Sequence, residues 1–441
     1  MEFHKNTRFD KAGTNQKIED IAYGLNTDKD LDPLLERIGD ARFVLLGEAS
    51  HGTHEYYTWR TRISKRLIKE KGFSFIAVEG DWPDCYKVNR YIKNYMDAGK
   101  SIQQVLKDFN RWPTWMWANW EIVALGNWLH DYNSHLPLTN KIGFYGLDVY
   151  SLWESMEAII KYLEKADPDA LRKAKKAFYC FEPYREGEGQ AYAIASSMIP
   201  LSCEREVIEM LSEIRRKAAQ YNTDPETPFS TEQNALITVN AERYYRTMIR
   251  SGALSWNIRD QHMIETLNRL MHFHGKNAKA IVWEHNTHIG DARATDMADE
   301  GMINVGELVR EQYSIEDVVL VGFGSYQGSV IAGKGWGEPM QKMIVPPARE
   351  GSWEAILHET NRDKLLILDQ LKEDRNFMQP IDHRAIGVVY HPEREKFGNY
   401  VPSIMPSRYD AFVYIDETNA LHPLHIKPDG HQMPETYPWG V

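Results

Sequence analysis

The sequence predicts an α/β protein: three layers, α/β/α, around a mostly parallel central sheet that is interrupted by a large helical insertion. Three observations carry this expectation. Seven short runs, nearly continuous in apolar residues, recur along the chain, as strands covered on both faces require. A helical stretch closed by Gly72 separates the first two runs, which makes a βαβ unit. The span from residue 151 to 274 reads as helix throughout.

The runs, in order, are Phe43–Gly47 (FVLLG), Phe75–Val78 (FIAV), Ile142–Gly146 (IGFYG), Ala280–Trp283 (AIVW), Val318–Gly322 (VVLVG), Ala385–Val389 (AIGVV) and Ala411–Ile415 (AFVYI). The first crossover helix covers about Thr53 to Lys71. Its apolar stripe passes through Tyr56, Ile63 and Leu67, and position 60 of that stripe is an arginine. A guanidinium there either meets a carboxylate or snorkels to solvent from the stripe's edge. Because helical side chains lean toward the N-terminus, Arg60 can reach back to Glu48 and Glu79. Within 151–274, the piece YNTDPETPFS (221–230) is the expected loop. We read the span as an insertion in one domain covering 1–441; a separate helical domain is the alternative.

Composition narrows the function. A net charge of −11 leaves no general basic face for nucleic acid or anionic membrane, so neither is an expected partner. No run reaches the roughly 20 apolar residues of a membrane span, and the opening MEFHKNTRFDKAG has no apolar signal core. The 3 cysteines, Cys85, Cys180 and Cys203, show no metal spacing and suggest no disulfide framework. The expected setting is therefore the cytoplasm, with the chain a monomer or homodimer.

Ligands of open α/β sheets bind beyond the carboxyl ends of the strands. Here those ends are rich in ionisable groups: Glu48, Ser50 and His51 after the first run, Glu79 and Asp81 after the second, Asp148 after the third, and Glu284, His285 and His288 after the fourth. Each alone has an ordinary explanation as a cap or a solvated loop residue; Asp81 and Asp291 are expected caps or turn formers. Their coincidence predicts one shared pocket. His51 precedes a helix, whose positive end disfavours an imidazolium. A neutral His51 held by Glu48 could take a proton from water, while Arg60 and His285 or His288 meet a developing oxyanion. Ser50 lacks the flanking glycines of a G-x-S-x-G elbow, so water is the expected nucleophile. The same His51, Glu48, Glu79, His285 and His288 could instead hold a divalent metal, although no closed ligand motif is present. No phosphate-binding glycine loop occurs; GFGSYQGS (322–329) lacks the lysine. Five tryptophans in RWPTWMWANWEIVALGNWL (111–129) serve helix packing or line an apolar cleft suited to a polyketide, lipid or glycan.

These residues resemble the erythromycin esterase family, which includes succinoglycan biosynthesis protein homologues. The resemblance rests on GEASHGTHEYYTWR, VEGDW, the NW and WL pair at Asn119 and Trp128, WNIRD at 256–260, WEHNTHIGD and the closing YDAFVYIDETNALHPL, and extends over about residues 15 to 425. It implies a hydrolase that opens an ester or macrolide lactone with a His-activated water, an antibiotic-resistance activity, and leaves open whether a metal takes part. No cofactor is expected, and the alternatives are a metal-dependent hydrolase on the same His/Glu cluster or a non-catalytic homologue that binds a small molecule or glycan. His51 would be the base, with Glu48, Arg60, Glu79, His285 and His288 as companions. Glu55, Asp81, Trp82, Trp115 and Arg259 are the expected contacts to a small-molecule substrate.

Overall fold

The computed structural model describes residues 11–199, 202–217, 224–359 and 362–427. Its strands are β1 (Ala22–Gly24), β2 (Phe43–Leu46), β3 (Phe75–Asp81), β4 (Gly143–Asp148), β5 (Ala280–Trp283), β6 (Val318–Ala332), β7 (Gln341–Val345), β8 (Lys364–Ile367), β9 (Ile381–Arg384), β10 (Tyr400–Ser403) and β11 (Ala411–Thr418). The main sheet runs β1-β8-β11-β6-β2-β5-β3-β4, with β7 added to the far end of β6. Its six central strands, β11 through β4, are all parallel; β1, β8 and β7 pair antiparallel.

Alternate residues of one strand enter different cores. Val44, Leu46, Ile76, Val78, Ile281 and Trp283 belong to one apolar cluster. Phe43, Leu45, Phe75, Ala77, Ala280 and Val282 belong to another, on the opposite face. The sheet is thus covered on both sides, which is why its strands read as unbroken apolar runs. The crossover helix spans His54–Lys71 and ends at Gly72, whose φ of 71° suits a residue without a Cβ. On it Tyr56, Arg60, Ile63 and Leu67 are all buried. Arg60 is 0% exposed, so it does not snorkel.

Several expectations are corrected. Residues 385–389 form no strand; Ile386 and Val389 make only isolated bridges, to Ser50 and Gly333. That stretch is apolar because Ile386 and Val388 are buried, while its backbone is used by loops: the Ile386 amide donates to Ala49 O and the Gly333 amide to Val388 O. β6 extends through GFGSYQGS. Cys180 and Cys203 are joined in a disulfide. Their separation of 23 residues gave no hint of it; the pairing comes from the end of the helix Pro168–Phe181 meeting the residue before the helix Glu204–Lys217.

The described residues of the span 151–274 are mostly helical, as expected, and residues between Val149 and Ile258 supply a third apolar cluster of their own. Part of the expected loop, 221–223, lies outside the described residues, and helix begins at Thr227. The last helix, Gly252–His274, does two jobs. Its first half packs on the insertion, and Met263, Ile264, Leu267, Leu270 and Met271 pack under the sheet. Arg259 and Asp260 fall at the crossover point.

Candidate active site

Beyond Leu46, β2 enters a turn, and Gly47 lets it do so. A Cβ at Gly47 would lie 2.0 Å from Asn286 Oδ1, so only glycine permits the β2 and β5 ends to approach this closely. Glu48 and His51 follow. The Glu48 carboxylate is shared: Oε1 is 2.9 Å from His51 Nδ1, and Oε2 accepts from Arg60 Nη2 at 2.6 Å. A carboxylate so placed accepts a hydrogen bond from Nδ1–H, which keeps the proton of the neutral ring there and leaves His51 Nε2 unprotonated, as a base needs. Nε2 has no protein partner although the ring is buried. The Arg60 guanidinium also lies over the rings of Tyr57 (4.4 Å) and Trp283 (4.8 Å). Ser50 Oγ is occupied by Thr53 Oγ1.

Glu79 stands at a register shift between Val78 and Asp81 in the pairing of β3 with β4, a local break that re-aims side chains. Its Oε2 accepts the His285 amide (2.9 Å), and Oε1 accepts from Arg259 Nη2 (2.6 Å). Burial works to raise Glu79, but His288, Arg259 and His51 overcome it and hold the carboxylate well below the usual range. Arg259 also binds Asp148 twice, at 3.0 and 2.7 Å. Arg60 therefore meets Glu48 and not Glu79 as well. A second guanidinium, brought in by a helix 180 positions later, serves Glu79.

The rings of His51 and His285 lie 5.0 Å apart, tilted by 44°. His285 caps the short helix Asn286–Ile289: its Nδ1 accepts from the Thr287 amide at 3.3 Å and is 2.9 Å from Thr287 Oγ1. An accepting Nδ1 puts the proton of the neutral ring on Nε2, which likewise has no protein partner. Burial, then the nearby His51, keep His285 well below the ordinary imidazole range, against the pull of Glu79 and the Ala49 carbonyl. The pair thus offers an open base on His51 beside a neutral N–H donor on His285.

His288 is tied on both sides. Nδ1 is 2.9 Å from Asp260 Oδ1, Arg259 Nη1 donates to Nε2 at 2.9 Å, and Trp256 stacks on the ring. Burial lowers its proton affinity, yet Asp260 and Glu79 raise it overall. With both nitrogens engaged, His288 positions Arg259 and Glu79. Asp260 was not singled out in the sequence; its only signal was adjacency to Arg259 on a helix. Glu284 is buried with neither oxygen partnered, and burial, then the nearby Glu79 and Asp260, raise its proton affinity well above that of an ordinary carboxylate.

The expected substrate contacts divide. Arg259 is in the cluster. Asp81 makes no cap bond. It pairs with a residue that the sequence did not single out, Arg111 (2.7 Å), which also holds Glu154 (2.8 Å). Burial pushes Asp81 up to about 8. Asp291 is a cap, accepting from the Arg293 amide. Trp82 is a core residue: it stacks on Tyr86 and Tyr145 and donates to Ser230. Trp115 is fully buried, edge-on to Trp112. Glu55 is taken up by Asn419, accepting from its amide and side chain. Ring contact and the βα geometry drew Trp82 and Trp115 into cores, which motif position alone could not show.

A buried His–carboxylate–Arg cluster at the carboxyl edge of a mostly parallel, helix-covered sheet defines an α/β protein with an enclosed acid–base site. The erythromycin esterase family model matches residues 68–418, and the chain belongs to that family. The chain is 30% identical over 153 residues to the erythromycin esterase type II of Escherichia coli, a match spanning 34% of each. It is 19% identical to the putative hydrolase YbfO of Bacillus subtilis (strain 168), over 88% of this chain and 86% of that protein. Among solved structures, a succinoglycan biosynthesis protein superposes with a TM-score of 0.73 at 21% identity, covering 95% of this chain and all of the other. A mutant of the erythromycin esterase EreC in its open conformation gives 0.64 at 15% identity, with 94% and 98% covered. These likenesses support the three-layer fold.

Proposed function

We propose that the chain is a hydrolase that cleaves an ester or lactone through a water activated by His51. The observation that carries this reading is the pair of buried imidazoles 5.0 Å apart, each with an unpartnered Nε2 and each held in a different tautomer. Water attacks the carbonyl carbon and gives a proton to His51 Nε2. Glu48, braced by Arg60, stabilises the imidazolium. His285 Nε2–H donates to the oxyanion. Collapse of the tetrahedral species expels the alkoxide, which takes the proton back from His51. Glu79 and His288 hold the His285 loop and Arg259 in place.

His51, Glu79, His285 and Arg259 are each 1% exposed or less, so an ester can enter only if covering segments move. Opening is then part of turnover.

A divalent metal on the same residues is disfavoured by the donor set. Glu48 and Glu79 already each bind a guanidinium, and a cation between them would face Arg60 and Arg259. The substrate is an ester or lactone; the family relation makes a macrolide lactone the first compound to try. Turnover of a panel of macrolides, simpler lactones and alkyl esters by the wild type and His51→Asn, with and without a chelator, tests the reading. The variant should lose about 10²–10⁴-fold in kcat/KM with its melting temperature unchanged, and the chelator should do nothing. Equal turnover by His51→Asn, or no turnover of any compound by the wild type, overturns it.

A further inference from the structure

Outside the acid–base cluster, three side chains from distant parts of the chain converge on one point. His54 is the first residue of the helix His54–Lys71. Glu121 sits in the first turn of the helix Trp120–Ser134, behind its Asn119 cap. His422 lies on an extended segment after β11. Glu121 Oε1 is 2.5 Å from His54 Nδ1 and 2.7 Å from His422 Nδ1, and the two rings stand nearly perpendicular at 5.1 Å. The donor atoms all lie within 4.8 Å of one another, and among the described residues no other set of three histidine, cysteine or acidic groups does so.

A carboxylate serving two imidazoles by hydrogen bonding alone has two oxygens to divide between them. Here both rings aim at the same oxygen, while the other takes only a long contact from the His422 amide (3.4 Å). Two imidazole nitrogens and a carboxylate oxygen gathered this closely are the ligand atoms that a coordination site needs. Glu121 is 6% exposed, His54 35% and His422 61%, so one side stays open to solvent. We propose that His54, Glu121 and His422 bind a divalent cation of the zinc class, with water completing a tetrahedral shell. Two imidazole nitrogens and one carboxylate oxygen suit zinc, cobalt or nickel, and are too few oxygens for calcium or magnesium.

Metal–donor bonds of about 2.0–2.1 Å set tetrahedral donors roughly 3.3 Å apart, so the rings need to swing outward by less than about 1 Å. Each Nδ1 proton moves to Nε2 as the metal takes its place. His422 Nε2 then meets solvent, and His54 Nε2 has Thr58 Oγ1 at 3.4 Å.

The ion would act as a clasp. The segment carrying His422 is laid along both helix starts: the His54 amide donates to Asn419 O, Leu421 to Gly52 O, Trp120 to His422 O and Leu424 to Ala118 O. A metal there pins this strap to the turn three residues after His51. It would also make the metal content of the purified protein uninformative about the chemistry at His51.

The test is zinc uptake by the full chain, stripped with a chelator and dialysed against known free zinc. Cobalt absorption in the visible reports the geometry. Wild type should take up one equivalent with a dissociation constant below about 10 μM. Zinc at a hundredfold excess over that constant should raise the melting temperature by about 3 °C. His422→Ala, a surface change, and Glu121→Gln should each weaken uptake at least tenfold and abolish the thermal shift. Absence of saturable uptake by the wild type overturns the proposal. So does uptake that survives both substitutions, or that survives His422→Ala and is lost in His51→Asn.

Discussion

Glu48 is the residue on which the proposed base depends, because it is the one carboxylate touching both His51 and Arg60. Removing Arg60 alone leaves that carboxylate buried without its counter-charge. Arg60→Met should therefore cost about 3–5 kcal/mol of stability, read from the urea midpoint, while Arg60→Met combined with Glu48→Leu should recover most of it. The pair is in this sense a burden on the fold that is kept for the histidine it orients. A double variant as stable as the wild type but without turnover is the expected result.

Two connections show how elements position the site. Gly47 lets the end of β2 lie against Asn286, which bonds both the amide and the carbonyl of Phe323 and carries the His285 loop. Gly47→Ala must push that loop away. The expected cost is about 1–3 kcal/mol in denaturant unfolding, together with a drop in kcat/KM larger than any change in KM. The second connection is the Cys180–Cys203 disulfide inside the helical insertion. Closing a loop of this length stabilises by about 3 kcal/mol on the chain-entropy account. A Cys180→Ser/Cys203→Ser variant should lose that stability under oxidising conditions and match the reduced wild type. Its turnover should be unchanged, since the insertion's cluster is separate from the sheet's.

The fold buries several histidines in neutral form, and this sets its acid stability. Burial lowers His262 and His274 to about 3, and also lowers His285 and His383. Unfolded, each would take up a proton near pH 6.5. Between about pH 6.5 and 3 the unfolded chain thus holds more protons, and stability falls as pH falls, by up to about 1.4 kcal/mol per pH unit for each group. His54 and His288, which are raised, work in the other direction: their contribution is complete below about pH 6.5 and is lost as pH rises above it. Maximum stability is expected near neutrality. The dependence of unfolding free energy on pH checks this, and His274→Gln should flatten the acid limb by one proton.

No helix among the described residues is long and apolar enough to cross a membrane. What the sequence determined was local: the six parallel central strands, because apolar runs buried on both faces cannot be hidden; the helix with arginine in its stripe, because period and charge conflict at Arg60; and the acids and histidines at the strand ends. The edge and antiparallel strands β1, β7, β8, β9 and β10 carry no such run and were not legible. What it could not determine was pairing. Which carboxylate met Arg60 and which met Arg259, that Trp82 and Trp115 belong to cores, that 385–389 serves loops and forms no strand, and that Cys180 meets Cys203 all depend on how elements far apart in the chain come together. Spacing along one dimension fixes the faces of helices and strands, but partners are chosen only when those faces are packed.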